Sequence, residues 1–220
     1  MSGLSVVVSL DSGVCDPAAP LLYADDLAAV RGDGIFETLL IRDGRPCLLE
    51  AHLARLAARP DVTVARLASR GLSRSRNAAL DLARGEVILL ADDDVTHPRD
   101  ALTGVRRFFH DQPAASLLVG LSLGADGRPR RRPMGPCQLT RWNAGRTASH
   151  ELAFRVGPVR ACGVRFDESF GVGADTPAFL GEEFIFVADC LAAGLAGEHR
   201  PLPVSIHPDP STGAGWSGPA

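Results

Sequence analysis

An apolar run, Val87 to Ala91, ends directly in Asp92-Asp93-Asp94, and far downstream Gly181 opens a second acidic pair, Glu182-Glu183. A short continuous apolar run is what a strand buried on both faces of a parallel sheet requires. Its end then sets carboxylates at the carboxyl edge of the sheet, where open α/β folds bind their ligands. Side chains two apart on a strand point the same way, so Asp92 and Asp94 are expected to face one site. Paired hard oxygens of this kind hold Mg²⁺ or Mn²⁺, and such an ion neutralises a diphosphate leaving group. The alternative is an acidic turn that caps the next helix. Glu182-Glu183 are side chains of the type that general acid–base chemistry uses. The alternative there is a helix start made acidic to suit its dipole. Adjacent helical residues point about 100° apart, so one of the two glutamates faces any given site and the other does not. Arg74, Arg76 and Asn77 fall in the first turns of a helix predicted over 71–84. Either arginine suits an anion. Equally, Arg74 can lie in solvent and Arg76 can pair with a sheet-edge carboxylate, while Asn77 suits an orienting role beside the aspartates.

These groups need elements to carry them, and the sequence predicts an alternation. Strands are expected at 4–10, 34–41, 47–49, 62–65, 87–91 and 117–123, with a hairpin turn at Asp43-Gly44. The stretch 11–20 reads as turns. Helices are expected at 50–58, 71–84 (with Gly85 as its C-terminal cap), 98–110 and 182–195. A Gly/Pro/Arg loop, 124–136, contains Arg130-Arg131-Arg132 and reads as a solvated loop; an anionic acceptor or lipid phosphate is its functional alternative. From Pro201 onward Pro and Gly dominate, and the last ten residues are expected to be disordered. Alternating strands and helices argue for an α/β fold with a mixed, mostly parallel sheet and flanking helices.

Composition narrows the function classes. The chain has 220 residues, 45% hydrophobic, with a formal net charge of −3, so nothing draws it strongly to nucleic acid or to anionic lipid. The five Cys are scattered without a C-x-x-C and read as reduced, buried thiols and not as a zinc site. The opening apolar run is short and lacks a basic flank, and no run approaches the length of a membrane span. The expectation is a cytoplasmic protein with no transmembrane segment, peripheral membrane contact staying open.

Arg31 to Leu56 reads RGDGIFETLLIRDGRPCLLEAHLARL. It resembles the opening of fold-type IV pyridoxal-phosphate enzymes, of aminodeoxychorismate lyase and class IV aminotransferase type, through Gly32-Asp33-Gly34, Phe36-Glu37, Gly44, His52 and Arg55-Leu56. The resemblance covers about residues 4–58 and implies a small N-terminal domain in which Arg55 sits near a cofactor phosphate. That family holds its cofactor as a Schiff base on a downstream lysine. All 23 residues counted as Lys or Arg are Arg. A Schiff base needs a primary amine, so no pyridoxal phosphate is expected and the segment reads as a leftover packing unit.

Gly71 to Val95 reads GLSRSRNAALDLARGEVILLADDDV. It resembles the family 2 glycosyltransferases of GT-A type, capsular-polysaccharide-like, and the resemblance runs on through Phe166–Gly173 and Gly181-Glu182-Glu183 to His207–Thr212. It implies a nucleotide-sugar donor, a hydroxyl acceptor that is a saccharide or lipid-linked saccharide, inversion at the anomeric carbon and a divalent metal. Carried onto this sequence, it implies metal ligation by Asp92 and Asp94. Arg74, Arg76, Asn77 and Asp93 would contact the nucleotide sugar. Catalysis would fall to Glu182 and Glu183, the base being the second acid, here Glu and not the family's Asp. His207 falls where some GT-A enzymes bring a late histidine to the metal or phosphate, but reads more simply as a loop histidine. Trp142 and Trp216 could stack on sugar, with core packing the simpler expectation for Trp142.

The expected organisation is residues 1–58 as the fragment resembling the pyridoxal-phosphate enzymes, 59–212 as the glycosyltransferase domain, and 213–220 as a disordered tail, with a discontinuity near Arg59-Pro60. Alternatively, SVVVSLDSG near the start supplies the transferase's first strand. Two other functions stay open: a catalytically dead class IV aminotransferase-like protein, and a non-catalytic binding protein with a decayed transferase site.

Overall fold

The computed structural model describes residues 7–9, 13–15, 41–42, 45–46, 65, 67, 69, 71–92, 95–174, 176 and 180–207. The chain falls into two compact units, Met1–Arg66 and Leu67–Ala220. In the first, β1 (Val7–Ser9) pairs antiparallel with β2 (Gly13–Cys15), and β3 (Ile41–Arg42) pairs antiparallel with β4 (Arg45–Pro46). The second pair brackets Asp43-Gly44, the expected hairpin turn. β2 lies in a stretch predicted to be turns. The predicted elements at 47–49, 50–58 and 62–64, the junction at Arg59-Pro60 and the 213–220 tail lie outside the described residues.

The second unit is built on five described strands: β5 (Val87–Leu89), β6 (Ala115–Leu123), β7 (Cys137–Gln138), β8 (Leu152–Arg155) and β9 (Ala196–Ile206). Their spatial order is β5-β8-β6-β9-β7. The sheet is mixed, but mostly antiparallel where a mostly parallel one was expected: only β6 and β9 pair parallel, while β8 runs antiparallel to both β5 and β6 and β7 antiparallel to β9. The helix-bearing crossovers do leave β5, β6 and β9 pointing the same way. It is β8, inserted between β5 and β6, that separates two strands which alternation alone would have made neighbours. β5 is also only half-buried, at one edge of the described sheet.

Among the described residues four helices flank the sheet: α1 (Leu72–Leu82), α2 (Ala101–Asp111), α3 (Val156–Ala161) and α4 (Glu182–Ala192). The cap of α1 falls at Ala83 and not at Gly85. Successive strand residues face opposite sides, so Leu118 and Ala153 pack with Val105, Phe108 and Phe109 of α2, while Leu117, Val119, Leu152 and Phe154 pack with Leu80 of α1 and Phe186, Val187 and Cys190 of α4. This is a three-layer arrangement with α1 and α4 sharing one face. Phe166 stacks on Phe186 with ring centroids 4.1 Å apart and joins the two helices through the core. Cys190 is buried, and burial pushes its thiol up to about 12, whereas Cys162 is exposed, contrary to the expectation of buried thiols.

β9 contains Pro201 and Pro203, at the start of the stretch that Pro and Gly dominate and where no strand was expected. A proline cannot donate to a ladder and is tolerated where one side of the strand is unpaired or bulged. Both lie beyond the β7 pairing, which ends at Cys137↔His199, and the β6 register shifts beside them. At the other end of β9, Gly197 lies against β6 so closely that an added Cβ would stand 2.6 Å from Leu117 Cβ and 2.9 Å from the Leu117 carbonyl. Gly197→Ala is therefore expected to cost about 1–3 kcal/mol through overpacking. Urea unfolding followed by circular dichroism checks this; an unchanged midpoint would mean that the strands separate freely there. Among the described residues no helix is long and apolar enough to cross a membrane.

Candidate active site

The inner face of α1 is Ser73, Arg76, Asn77 and Leu80, spaced i, i+3, i+4, i+7, and all four are buried. Three of the four are polar. A buried polar group has to be hydrogen-bonded to be tolerated, and each of these has a partner from distant sequence. Ser73 Oγ donates to the Phe170 carbonyl at 2.7 Å. Asn77 Nδ2 donates to the Phe166 carbonyl and Phe166 N donates back to Asn77 Oδ1, both at 2.9 Å. The same amide also donates to Glu168 Oε1 at 3.1 Å, and Arg74 Nε reaches Glu168 Oε2 at 3.3 Å. Helix α1 thus clamps the 166–172 loop through specific hydrogen bonds and not through apolar packing alone.

Arg76 is the centre of this arrangement. Only 7% exposed, it spans two carboxylates: Nη1 donates to Glu182 Oε1 at 2.6 Å and Nη2 to Asp92 Oδ1 at 3.3 Å. Its guanidinium also lies over the Phe166 ring, 5.5 Å from the centroid. One side chain therefore ties the sheet edge to the start of α4. Of the two expectations for Arg76, the structure shows the pairing with a sheet-edge carboxylate. Arg74 pairs with Glu168 at the protein's surface.

Asp92 receives further hydrogen bonds from residues that the sequence alone did not single out. Ser149 Oγ lies 2.8 Å from Asp92 Oδ2 and His150 Nδ1 lies 3.2 Å from the same oxygen. Both belong to a short 3-10 helix, Ser149–Glu151, that leads directly into β8. Burial by itself would raise the Asp92 carboxyl, but the His150 and Ser149 hydrogen bonds and the Arg76 charge outweigh it and hold it at about 2. Asp92 is accordingly a fixed anion throughout the neutral range. Its neighbours Asp93 and Asp94 lie outside the described residues. Among the described residues no group of three or more His, Cys, Asp or Glu side chains is gathered so as to hold a metal.

The two glutamates at the start of α4 have separated roles. Gly181 caps the helix in the left-handed region, φ 95°, which a glycine adopts without strain. Glu182 turns inward, buried against Arg76. Glu183 is only partly buried, and that burial, reinforced by the neighbouring Glu182 charge, pushes its carboxyl up to about 7. Gly171, at φ +96°, lets the 166–172 loop approach this pair: an added Cβ would lie 3.4 Å from Glu182 Cδ.

His207 is buried, its ring 5.1 Å from that of His150, and Arg130 Nη1 bonds both its Nδ1, at 3.0 Å, and its carbonyl, at 3.1 Å. It is part of the Asp92 surroundings and not a plain loop histidine. Trp142, for which core packing was expected, is 96% exposed, on the turn that leads into the 3-10 helix Ala144–Arg146. That turn is fastened from within: Thr140 N donates to Asn143 Oδ1 at 2.7 Å, which leaves the indole in solvent. Trp216 lies outside the described residues.

Ser149, His150 and Glu168 carried no sequence signal that set them apart. Glu168 stood inside the FDESFGVG stretch without a role, and Ser149-His150 belongs to no motif. Only the closure of the sheet around β8 brings Ser149 and His150 to Asp92, and only the α1 clamp brings Glu168 to Asn77.

Comparison with known proteins matches this chain to the family described as glycosyl transferase family 2 over residues 26–165, more than half of its length. The match begins well before residue 59, inside the N-terminal segment. Among solved structures, S. aureus TarS 1-349 is similar with a TM-score of 0.56 at 19% identity, covering 74% of this chain and 48% of that one. The same protein in complex with UDP gives a TM-score of 0.56 at 17% identity, covering 73% and 47%. Likeness at this identity establishes a common fold, that of the GT-A glycosyltransferases. A bifunctional aminodeoxychorismate lyase / D-amino acid transaminase of Mycobacterium tuberculosis (strain ATCC 25618 / H37Rv) is 71% identical over 51 residues, 23% of this chain and 18% of that protein. The chain thus spans about half the length of the truncated TarS and less than a fifth of the lyase/transaminase.

Proposed function

The chain belongs to glycosyl transferase family 2, and from that premise we propose that it moves a sugar from a nucleotide-diphosphate donor to a hydroxyl acceptor with inversion, Glu183 acting as the base. The observation that carries this reading is the division between the two glutamates. Glu182 is committed to Arg76, while Glu183 keeps partial access to solvent and a carboxyl raised to about 7. A base is most effective when its pKa lies near the working pH. In-line displacement needs one such base on the acceptor side, and the Arg76 bridge ties its neighbour Glu182, and with it the start of α4, to the carboxylate edge where the donor would lie.

Metal assistance belongs to the same proposal. Asp92 fits as an anionic oxygen donor, because it is ionised and held in one orientation by Ser149, His150 and Arg76. Asp92 and Asp94 would hold Mg²⁺ or Mn²⁺, with Asp93 nearer the ribose. Such an ion supplies neutralisation of the departing diphosphate. With Mn²⁺ present, Asp94→Asn is expected to weaken nucleoside-diphosphate binding by at least about tenfold, the loss of one charged contact. Isothermal titration with UDP, the nucleotide bound in one similar structure, is the first measurement to make. Unchanged affinity in Asp94→Asn would remove that residue from the metal site.

The short likeness to a lyase/transaminase favours descent of part of the chain from such a protein. With no Lys in the sequence, an internal Schiff base has no side-chain amine on which to form. Borohydride reduction in the presence of pyridoxal phosphate, read by mass spectrometry, should leave every residue beyond the N-terminal amine unlabelled.

A further inference from the structure

The loop 124–136, read from sequence as solvated arginines, is not simply solvated. Arg131 and Arg132 line an open pocket together with Arg146, His199, Glu151 and apolar side chains that include Val119 and Leu121. Among the described residues Glu151 is the only carboxylate lining this pocket, and it is already engaged. Its Oε1 accepts from Ser122 N at 3.0 Å, its Oε2 accepts from Ala148 N at 3.3 Å, and Arg131 pairs with it. Arg132 and Arg146 have no carboxylate partner among the described residues. Instead Arg146 Nη2 donates to the Arg132 carbonyl at 3.0 Å, which draws the two residues together. His199 is buried, and burial, with the Arg146 and Arg131 charges pushing the same way, holds it below its ordinary range, so it adds no charge. Arg200 also borders the pocket, but its guanidinium lies over the Phe108 ring and pairs with Glu198. Three guanidiniums against one carboxylate leave the pocket with two uncompensated positive charges.

We propose that this pocket binds a phosphate group carried by the acceptor, held by Arg132 and Arg146 with Arg131 fixed behind them by Glu151. Arginine forks match phosphate oxygens in pairs, and two such forks suit a doubly charged phosphate. The pocket is open, and its lining joins these arginines to apolar side chains such as Val119 and Leu121. Its place in the fold argues for the acceptor. Glu151 stands on the same 3-10 turn as Ser149 and His150, which hold Asp92, so the pocket adjoins the carboxylate edge without being part of it. This assignment rests on the transferase reading. The phosphate can belong to a phosphorylated saccharide or to a lipid-linked one, and the chemistry recognised is the same.

The test is titration calorimetry of the full chain in phosphate-free, low-salt buffer with three probes: glycerol 3-phosphate, dihexanoyl phosphatidate and UDP with Mn²⁺. Glycerol 3-phosphate is expected to bind, and to weaken at least about tenfold in Arg132→Gln/Arg146→Gln, while UDP binding is unchanged. Both arginines are exposed and neither is in an ion pair among the described residues, so the variant should fold; circular dichroism verifies it, and Arg132→Lys should restore part of the affinity. Tighter binding of the phosphatidate than of glycerol 3-phosphate supports a lipid-linked acceptor, and equal binding supports a phosphorylated saccharide. No phosphate binding to the wild-type chain, or binding indifferent to the two substitutions, overturns the pocket while leaving the transferase reading intact. Competition between UDP and glycerol 3-phosphate would give the pocket to the donor and overturn the acceptor assignment. Failure of UDP to bind at all, with phosphate binding retained, would overturn the transferase reading and the acceptor assignment with it.

Discussion

Glu183→Gln is expected to reduce sugar transfer by about 10²–10⁴-fold, the usual cost of removing a general base, while UDP affinity stays within about twofold. The same substitution should stabilise the fold at alkaline pH. The Glu183 carboxyl is raised from 4.5 to about 7, first by burial and then by the Glu182 charge. A carboxyl raised in the folded state contributes stability that is fully present below its unfolded value and is lost as pH rises through the folded one. Above pH 7 the native protein therefore carries a strained carboxylate, costing on the order of 3 kcal/mol. Glutamine carries no such charge. At pH 8.5 the variant should accordingly melt several degrees above the wild-type chain, and at pH 4.5 the two should coincide. In the wild-type chain, transfer should rise with pH along a limb whose midpoint is near the raised value, about 7, and the residual rate of the variant should lack that limb. Initial rates and thermal melts across pH 4.5–8.5 give both readings. If instead Glu182→Gln is the inactive variant and Glu183→Gln keeps its turnover, the base has been assigned to the wrong glutamate. Equal melting of wild type and variant at pH 8.5 would mean that Glu183 is better solvated than its surroundings indicate.

Arg76→Met is expected to cost about 3–5 kcal/mol of stability, the range for removing one partner of a buried ion pair. Arg76 lies between Glu182 at 2.6 Å and Asp92 at 3.3 Å. Its loss leaves Glu182 buried without its cation and takes a charge away from Asp92. Much of the penalty comes from the stranded carboxylate and not from the pair itself, so Arg76→Met/Glu182→Met should recover a large part of it; a double-mutant cycle by urea unfolding isolates the coupling. Transfer should fall in both variants, because Glu182 and Arg76 set the position of the first turn of α4, which carries Glu183. The informative contrast is with the donor. Should Arg76→Met stay within about 1 kcal/mol of the wild-type chain yet lose UDP affinity, Arg76 is a donor contact, as the family resemblance implies, and not the tie between the sheet edge and α4.

The sequence by itself determined what is local or chemical. The i, i+3, i+4, i+7 face of α1 is written in the order of Ser73, Arg76, Asn77 and Leu80. The pairing of β3 with β4 on either side of Asp43-Gly44, the acidic end of the β5 segment and the opening of α4 at Gly181 are equally set by neighbours a few residues apart. The lack of lysine excludes a side-chain Schiff base on residue type alone. What tertiary structure decided is everything that depends on which distant segments meet. Periodicity cannot say that Arg76 turns to Glu182, 106 residues away, or that Asn77 closes a reciprocal pair with Phe166, 89 residues away. The stripe shows only that polar residues are buried, not which partners satisfy them. Alternation of strands and helices implies one direction for three strands, but it carries no information on β8 entering between β5 and β6, and it is β8 that delivers Ser149 and His150 to Asp92. The prolines of β9 conceal a strand because local propensity opposes one there; pairing with β6, whose register shifts beside them, overrides it. Trp142 reads as core because its type is usually buried, yet the Thr140–Asn143 turn holds it out in solvent. In each case the residue types were legible and the partner was not, because the partner is selected by the free energy of the closed sheet and not by the segment in which the residue lies.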